Sequence, residues 1–359
     1  MGAVQPRVLL LLEATGGGAG RHVVDLSLGL WRRGIEVHLA YSPLRMDVVF
    51  AQHLSLLQKT GISLLHVPIH RRPHPTDIAV LEKLYAYAKK HGPFDIVHGH
   101  SSKAGALARL LGSLIGAKTV YTPHSIISLR GPSVYNLAER ALAPFTDLAI
   151  AVSPWERDAL QRLGYKRVEV VLNGIDPKGF PSREEARRVL GLKGEKVVGF
   201  VGRFSDQKDP LLALRTFARI KDSQLRLVMV GDGPLRAEVE KESEKLGIGE
   251  RILLLGTREA REVFPAFDLL LLTSRYEGFP YVVLEAFALS IPIVSAPTPG
   301  LGEWLRKHGA LVAEKADSDA LSSALEKALL AYSQPPPWDQ EWTLERMVEK
   351  TLELYQAIL

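Results

Sequence analysis

Short apolar runs alternate with amphipathic segments from one end of this chain to the other. In the first half the runs Val8–Leu12, Ile35–Ala40, Ser63–Val67, Asp95–His98, Thr119–Tyr121, Leu148–Val152 and Val168–Val171 predict strands. Between them, Arg21–Arg33, Thr76–His91 and Ser102–Ile115 carry the three-to-four-residue apolar spacing of helices. The second half repeats the pattern. Strands are predicted at Lys196–Val201, Leu225–Val230, Ile252–Leu255, Leu269–Thr273, Ile291–Val294 and Ala310–Val312, with helices such as Pro210–Ile220, Pro234–Leu246 and Tyr281–Ala288 between them. Alternating strand and helix is the signature of an α/β protein, and continuous apolar strands fit parallel sheets buried on both faces. Each half reads as a doubly wound parallel sheet that opens with a strand running into a glycine-containing turn. The boundary is placed in the Gly/Pro-rich stretch Asn173–Ser182, giving domains 1–173 and 174–341. Consecutive prolines make Ser333–Trp338 a linker, and it leads to a last helix from Trp342 to Leu359. Two such domains are expected to face one another across a cleft lined by the carboxyl ends of their strands.

Composition narrows the class. The chain has 359 residues, 46% hydrophobic and 24% charged, as in ordinary globular proteins, and this length suits two domains. It has no cysteine, which excludes disulfides and thiolate metal sites and fits a reducing compartment. The apolar run Val8–Leu12 is too short for a secretory signal or a membrane span, so a cytoplasmic protein is expected. The net charge of +5 is uneven: residues 1–180 hold 21 Lys and Arg against 13 Asp and Glu, and ten of the 11 histidines. The first half is thus +8 and the remainder −3. This excess is either solvated surface charge or a basic face toward an anionic partner, such as the inner membrane surface or a phosphate-bearing acceptor. No aromatic-interleaved basic stripe and no reader motif point to nucleic acid.

Four segments carry candidate chemistry. Thr15-Gly-Gly-Gly-Ala-Gly20 lies between a strand and a helix, where backbone amides can approach a phosphate without a Cβ in the way; a purely structural turn is the alternative. It fails as a dinucleotide fingerprint, because Arg21 stands where a third glycine is wanted and no acid follows Ala40. Gly202 and Arg203 follow a strand, with Lys208 five residues on. A guanidinium fork and a point charge in one loop suit a diphosphate, and a solvated loop is the alternative. Glu277 falls in the strand-to-helix loop after Leu269–Thr273 and Glu285 in the second turn of an otherwise apolar helix. A carboxylate there needs a partner, either a sugar diol or a cation on another helix. The amides of Gly278, Phe279 and Val282 open that helix. His124 in Tyr121-Thr-Pro-His-Ser125, and secondarily His100, end strands; each is a functional imidazole or an ordinary hydrogen bonder. With no His/Asp cluster at ligand spacing, no metal and no cofactor are expected.

Together these segments resemble the GT-B-fold retaining glycosyltransferases of family 4, also called glycosyl transferases group 1. Their Glu-x7-Glu element is similar to Glu277 and Glu285, their Gly-Arg…Lys loop to Gly202, Arg203 and Lys208, and their glycine turn to Gly17 and Gly18. Their domain-junction segment is similar to Asn173, Gly174 and Asp176, their active-site histidine to His124, and their closing helix to the stretch from Trp342. The likeness runs along nearly the whole chain.

The resemblance implies two Rossmann-like domains with the last helix crossing back to the first. It implies that Arg203 and Lys208 bind the diphosphate, that Glu285 holds the ribose and that Glu277 with Gly278 and Phe279 holds the donor sugar. Gly17 and Gly18 would touch the distal phosphate, Thr257 and Arg258 the base, Asn173 the junction side of the site, and His124 the reacting centre. The implied donor is a nucleotide diphosphate sugar, with UDP expected and GDP or ADP open. The implied acceptor is a lipid-linked or cell-envelope saccharide, for which Arg130, Arg71, Arg72, His70 and His74 are candidates. Domain closure on donor binding is expected. The rivals are a nucleotide-sugar epimerase on the same scaffold and a non-catalytic binding protein; a nicotinamide dehydrogenase is disfavoured by the missing acid after Ala40.

Overall fold

The computed structural model describes residues 5–125, 133–330 and 338–359. Arg130 and positions 333–337 of the expected linker lie outside the described residues. The chain divides into two compact units, Met1–Gly174 with Glu341–Leu359, and Ile175–Gln340.

Unit 1 alternates strand and helix: β1 (Arg7–Leu12), α1 (Gly17–Arg32), β2 (Glu36–Tyr41), α2 (Val48–Lys59), β3 (Ser63–His66), α3 (Asp77–His91), β4 (Ile96–His100) and α4 (Ser102–Ile115). It continues with β5 (Lys118–Thr122), α5 (Ser133–Leu142), β6 (Leu148–Ala151), α6 (Pro154–Arg162) and β7 (Val168–Val170). The strands form one parallel sheet in the order β3-β2-β1-β4-β5-β6-β7. The central strand shows why an unbroken apolar run folds this way. Val8, Leu10 and Leu12 point into one core cluster and Leu9 and Leu11 into the cluster on the other face, all five fully buried. Each such side chain contributes about 2 kcal/mol of transfer free energy, which no half-exposed strand would gain.

Unit 2 runs α7 (Arg183–Val189), β8 (Lys196–Val201), α8 (Pro210–Ala218), β9 (Leu225–Val230), α9 (Arg236–Lys245), β10 (Ile252–Leu254) and β11 (Leu269–Leu272). It ends with α10 (Tyr281–Ala288), β12 (Ile293–Ser295), α11 (Gly302–Lys307), β13 (Leu311–Val312) and α12 (Ser318–Leu330). Its parallel sheet has the order β10-β9-β8-β11-β12-β13. All thirteen expected strands form, within two residues of their expected bounds. Both sheets start at a central strand, build outward one way and then cross back to build the other way. The reversal falls between β1 and β4 in unit 1 and between β8 and β11 in unit 2, and the carboxyl ends of such strand pairs open a crevice.

Helix bounds departed further from the sequence reading. α1 begins at Gly17, four residues before the expected start. Trp342 sits in a short 3-10 turn, and the last helix, α13 (Leu344–Gln356), starts only after Thr343, whose hydroxyl accepts the Arg346 amide. α13 packs on α1 within unit 1. A Cβ on Gly29 would lie 2.4 Å from Val348, so only glycine admits the helix at this distance, and Met347, Val348 and Tyr355 join the unit 1 core. Among the described residues no helix is long and apolar enough to cross a membrane.

Candidate functional site

In unit 2 the crevice between β8 and β11 is built by two loops stitched together. The first, Gly202–Asp209, leaves β8 and enters α8. Phe204 anchors it, fully buried, with its amide donating to Asp232 O. Asp209 caps α8 from a left-handed backbone (φ 46°), its carboxylate accepting the Leu212 amide and pairing with Arg275 at 3.0 Å. The second loop follows β11. Its Thr273 hydroxyl donates to Lys208 O at 2.8 Å, its Arg275 amide donates to Gln207 O at 2.8 Å, and Gln207 returns a side-chain bond to Tyr276 O. These bonds bring Lys208 Nζ to 2.5 Å from Glu277 Oε1, a pair in which Glu277 is only 6% exposed.

The other expected donor-site residues fall around this pair. Gly202 continues β8, its amide bonded to Val230 O. Arg203 is exposed and makes no ion pair among the described residues. Gly278 and Phe279 are buried, the Phe279 ring edge-on to Trp304 at 4.9 Å. They lead into α10, which Pro280 opens without a side-chain cap and which has Val282 in its first turn. Glu285 is buried one turn further along α10. Thr257 and Arg258 follow β10; the preceding Gly256 accepts the Gly231 amide at 2.8 Å, which ties that loop to the end of β9. Thr257 is exposed, while Arg258 Nε is buried without a hydrogen-bond partner. The structure thus joins Lys208 to Glu277, and places Arg203 after β8 and Thr257 and Arg258 after β10, at the carboxyl edge of one sheet.

Unit 1 departs more from expectation. Gly17 (φ 72°) starts α1 rather than a free turn, and its amide already donates to Asp47 Oδ2 at 2.9 Å. The same Asp47 carboxylate caps α2 through Phe50 N. An anion reaching Gly17 must displace that carboxylate; Gly18 lies exposed beside it. The expectation of no His cluster is corrected here: His22, His100 and His124 each bring one ring nitrogen within 4.8 Å of the other two. Their sequence spacing hid this, because His22 comes from α1 and the others from the ends of β4 and β5. His100 Nδ1 lies 3.0 Å from His124 Nε2, and His22 Nδ1 lies 2.9 Å from Asn173 Oδ1. His98 stacks beside His100 but has both nitrogens occupied, by the Tyr355 hydroxyl and the Thr122 hydroxyl. Burial pushes His22 down to about 4, and burial with neighbouring imidazoles holds His98, His100 and His124 well below the usual histidine range. All four are neutral at pH 7. Of the acceptor-side candidates, His70 and His74 stack at 4.1 Å, Arg71 and Arg72 are exposed, and Lys103 bonds Arg72 O.

Three buried carboxylates in unit 1 were missed, Glu139, which pairs with the buried Arg109 at 3.1 Å, among them. Glu13, directly after β1, pairs with Arg45 at 2.6 Å and accepts from the Ser101 hydroxyl; an acid ending an all-apolar strand was the available signal. Glu156 stands three residues after the α6 cap Ser153, a spacing that suggests a capping box. Its carboxylate instead accepts the Ser125 amide at 2.7 Å and the Val152 amide at 2.8 Å. It thereby tethers the turn in which His124 (φ 54°) and Ser125 (φ 97°) are both left-handed. Burial pushes the Glu156 carboxyl up to about 7 against the pull of those two amides. A carboxyl raised above its unfolded value stabilises the fold fully below about pH 4.5, and that contribution is lost as pH rises through 7, roughly 3 kcal/mol in all. Urea unfolding of wild type and Glu156→Gln at pH 5 and pH 8 should therefore show the variant gaining about that much relative to wild type at the higher pH; a difference independent of pH would contradict this assignment.

Comparison with known proteins agrees with the fold and extends it. The family model described as Glycosyltransferase Family 4 matches residues 16–178, and that described as Glycosyl transferases group 1 matches residues 182–340. A D-inositol 3-phosphate glycosyltransferase of Corynebacterium urealyticum is 28% identical over 327 residues, covering 79% of this chain and 77% of the relative. Among solved structures, Anabaena Alr3699/HepE in complex with UDP and glucose superposes with a TM-score of 0.79 at 21% identity, over 99% of this chain and 96% of that one. Sucrose-phosphate synthase from Thermosynechococcus elongatus gives 0.78 at 21% identity, over 98% and 99%. Two matches that adjoin along nearly the whole chain, on two parallel α/β sheets, place this protein among the group 1 glycosyltransferases of GT-B fold.

Proposed function

We propose that this glycosyltransferase moves a sugar from a UDP-sugar to an acceptor hydroxyl with retention of anomeric configuration and without a metal ion. The observation that carries the donor reading is the Lys208–Glu277 pair at the β8/β11 reversal, with Arg203 on the same loop. Breaking the sugar–phosphate bond leaves negative charge on the departing diphosphate, and fixed cations aimed at that charge lower the barrier. An ammonium has three donors. Glu277 takes one and fixes the direction of Lys208, leaving two for phosphate oxygens, while the second Glu277 oxygen can accept from a sugar hydroxyl. Arg203 supplies a forked pair of donors, and the uncapped amides of α10 add partial positive charge. A metal has no task left in this scheme. Glu285 would accept the two ribose hydroxyls, and Thr257 and Arg258 would meet the base. The HepE structure with UDP and glucose supports UDP as the nucleotide.

In unit 1 the neutral His124 would hydrogen-bond the transferring sugar. The excess of positive charge in residues 1–180, with Arg71 and Arg72 exposed, favours an acceptor that carries an anionic group, such as a lipid-linked or cell-envelope saccharide. The name of the Corynebacterium relative, a D-inositol 3-phosphate glycosyltransferase, supports a phosphate-bearing acceptor.

A thermal-shift series tests the donor. Ligands that bind only the folded state raise the melting temperature by mass action. UDP and UDP-sugars should raise it more than GDP, ADP or uridine at equal concentration. A flat response to every nucleotide diphosphate would overturn the donor reading.

A further inference from the structure

We infer that His22, His100 and His124 form a binding site for one borderline divalent metal ion, zinc foremost, and that its occupation stops sugar transfer. The inhibitory half rests on the proposed role of His124; the binding half stands on geometry alone.

The three imidazoles each bring a ring nitrogen within 4.8 Å of the others, and the His100–His124 pair is already at 3.0 Å. Zinc bonds imidazole nitrogen at roughly 2.0–2.1 Å, which puts tetrahedral ligand nitrogens about 3.4 Å apart. His22 therefore needs to approach by at most about 1.4 Å, within the reach of a ring rotation. Its outer nitrogen is oriented in the way metal-bound histidines usually are: Nδ1 faces the Asn173 carbonyl oxygen and so carries the proton, leaving Nε2 with the lone pair. His22 and His100 are buried and His124 is half-buried, so the group is closed on one side and open on the other.

A second observation shows that hydrogen bonding within the cluster is incomplete. His100 Nε2 is fully buried and has no hydrogen-bond partner. In the neutral ring that nitrogen carries the proton when Nδ1, 3.0 Å from His124, turns its lone pair toward the ion. His98, although adjacent, cannot serve, since its two nitrogens are engaged by Tyr355 and Thr122.

The donor set selects the ion. Three neutral nitrogens without a carboxylate in the group suit Zn²⁺, Co²⁺, Ni²⁺ or Cu²⁺ and not Mg²⁺, Mn²⁺ or Ca²⁺. Three protein ligands also leave a coordination position open to water or to a substrate oxygen. A cation there withdraws the His124 lone pair from hydrogen bonding and adds charge where the transfer reaction expects a neutral ring.

Chelator-treated protein is titrated with Co²⁺, whose d–d absorption reports its ligands directly, and then with competing Zn²⁺. One equivalent should give saturable bands of a four- or five-coordinate ion, abolished by Zn²⁺. His22→Ala and His100→Gln, each checked for native circular dichroism, should weaken Zn²⁺ binding at least tenfold. Absence of saturable bands, or equal affinity in wild type and both variants, would overturn the site. In the same samples Zn²⁺ should inhibit transfer from a UDP-sugar, reversed by chelator; binding without inhibition would overturn the second half. Protein that shows cobalt bands but turns over no UDP-sugar would count against the proposed function while supporting the metal site.

Discussion

Replacing Lys208 by alanine lowers the rate of sugar transfer by roughly 10²–10³-fold, the cost typical of deleting one preorganised group that stabilises developing charge. Two losses combine. The cation proposed to face the departing diphosphate disappears, and Glu277, 6% exposed and paired with Lys208 at 2.5 Å, is left as a buried carboxylate without its partner. The pair acts as a unit, so the effects should not add. Glu277→Ala strips Lys208 of its positioning contact and removes a sugar contact, and should also fall in the range of roughly 10²-fold or more. The double variant should then be little worse than the poorer single one, as for residues sharing one interaction. Measured kcat and kcat/KM for the four proteins check this. Losses under tenfold, or losses that multiply, would contradict the reading of Lys208 and Glu277 as one device.

A second large effect lies in the backbone beneath that device. Gly231, at the end of β9, has φ of 136°, and a Cβ added there would lie 2.0 Å from the carbonyl oxygen of Gly202. The β8 and β9 turns are in backbone contact at this point, and neither can yield without moving Arg203. Gly231→Ala should therefore cost more than about 3 kcal/mol, since overpacking against backbone adds to the strain of a left-handed non-glycine residue. Gly247 provides the contrast. It too has positive φ, at 65°, but nothing lies within 4 Å of its missing Cβ. Its alanine variant should lose only about 1–2 kcal/mol, the strain of the left-handed conformation alone. Urea unfolding of both variants separates the two terms. Similar losses at the two positions would show that the β9 turn can relax.

Much of this architecture was legible in the sequence because buried parallel strands are written as unbroken apolar runs. Lys196–Val201 and Leu225–Val230 form over the residues expected. The helices were harder to bound where tertiary partners decide. α1 starts in glycine because Asp47, thirty residues away, takes the Gly17 amide; nothing local in Thr15–Gly20 announces that. The last helix carried its own signal in Thr343, but the expectation fixed on Trp342 instead.

The donor residues were legible as two separate loops, cations in one and carboxylates in the other. Their union was not. Lys208 and Glu277 are 69 residues apart and meet only because β8 and β11 are neighbours and Thr273 and Gln207 lock the loops together. The histidine cluster was hidden for the same reason: positions 22, 100 and 124 have no ligand spacing until α1, β4 and β5 place them on one side of one sheet. Sequence patterns report what a single segment does. They are silent on which loop ends a sheet brings together.

The central claim is that the β8 and β11 loops of unit 2 hold a nucleoside diphosphate through its phosphates. Calorimetric titration of wild type, Arg203→Ala and Lys208→Ala with UDP and with uridine tests it most directly. The account predicts that wild type binds UDP far more tightly than uridine, and that each variant loses at least tenfold in UDP affinity while its uridine affinity stays within twofold. Equal losses for both ligands, or UDP binding untouched by either substitution, would contradict it.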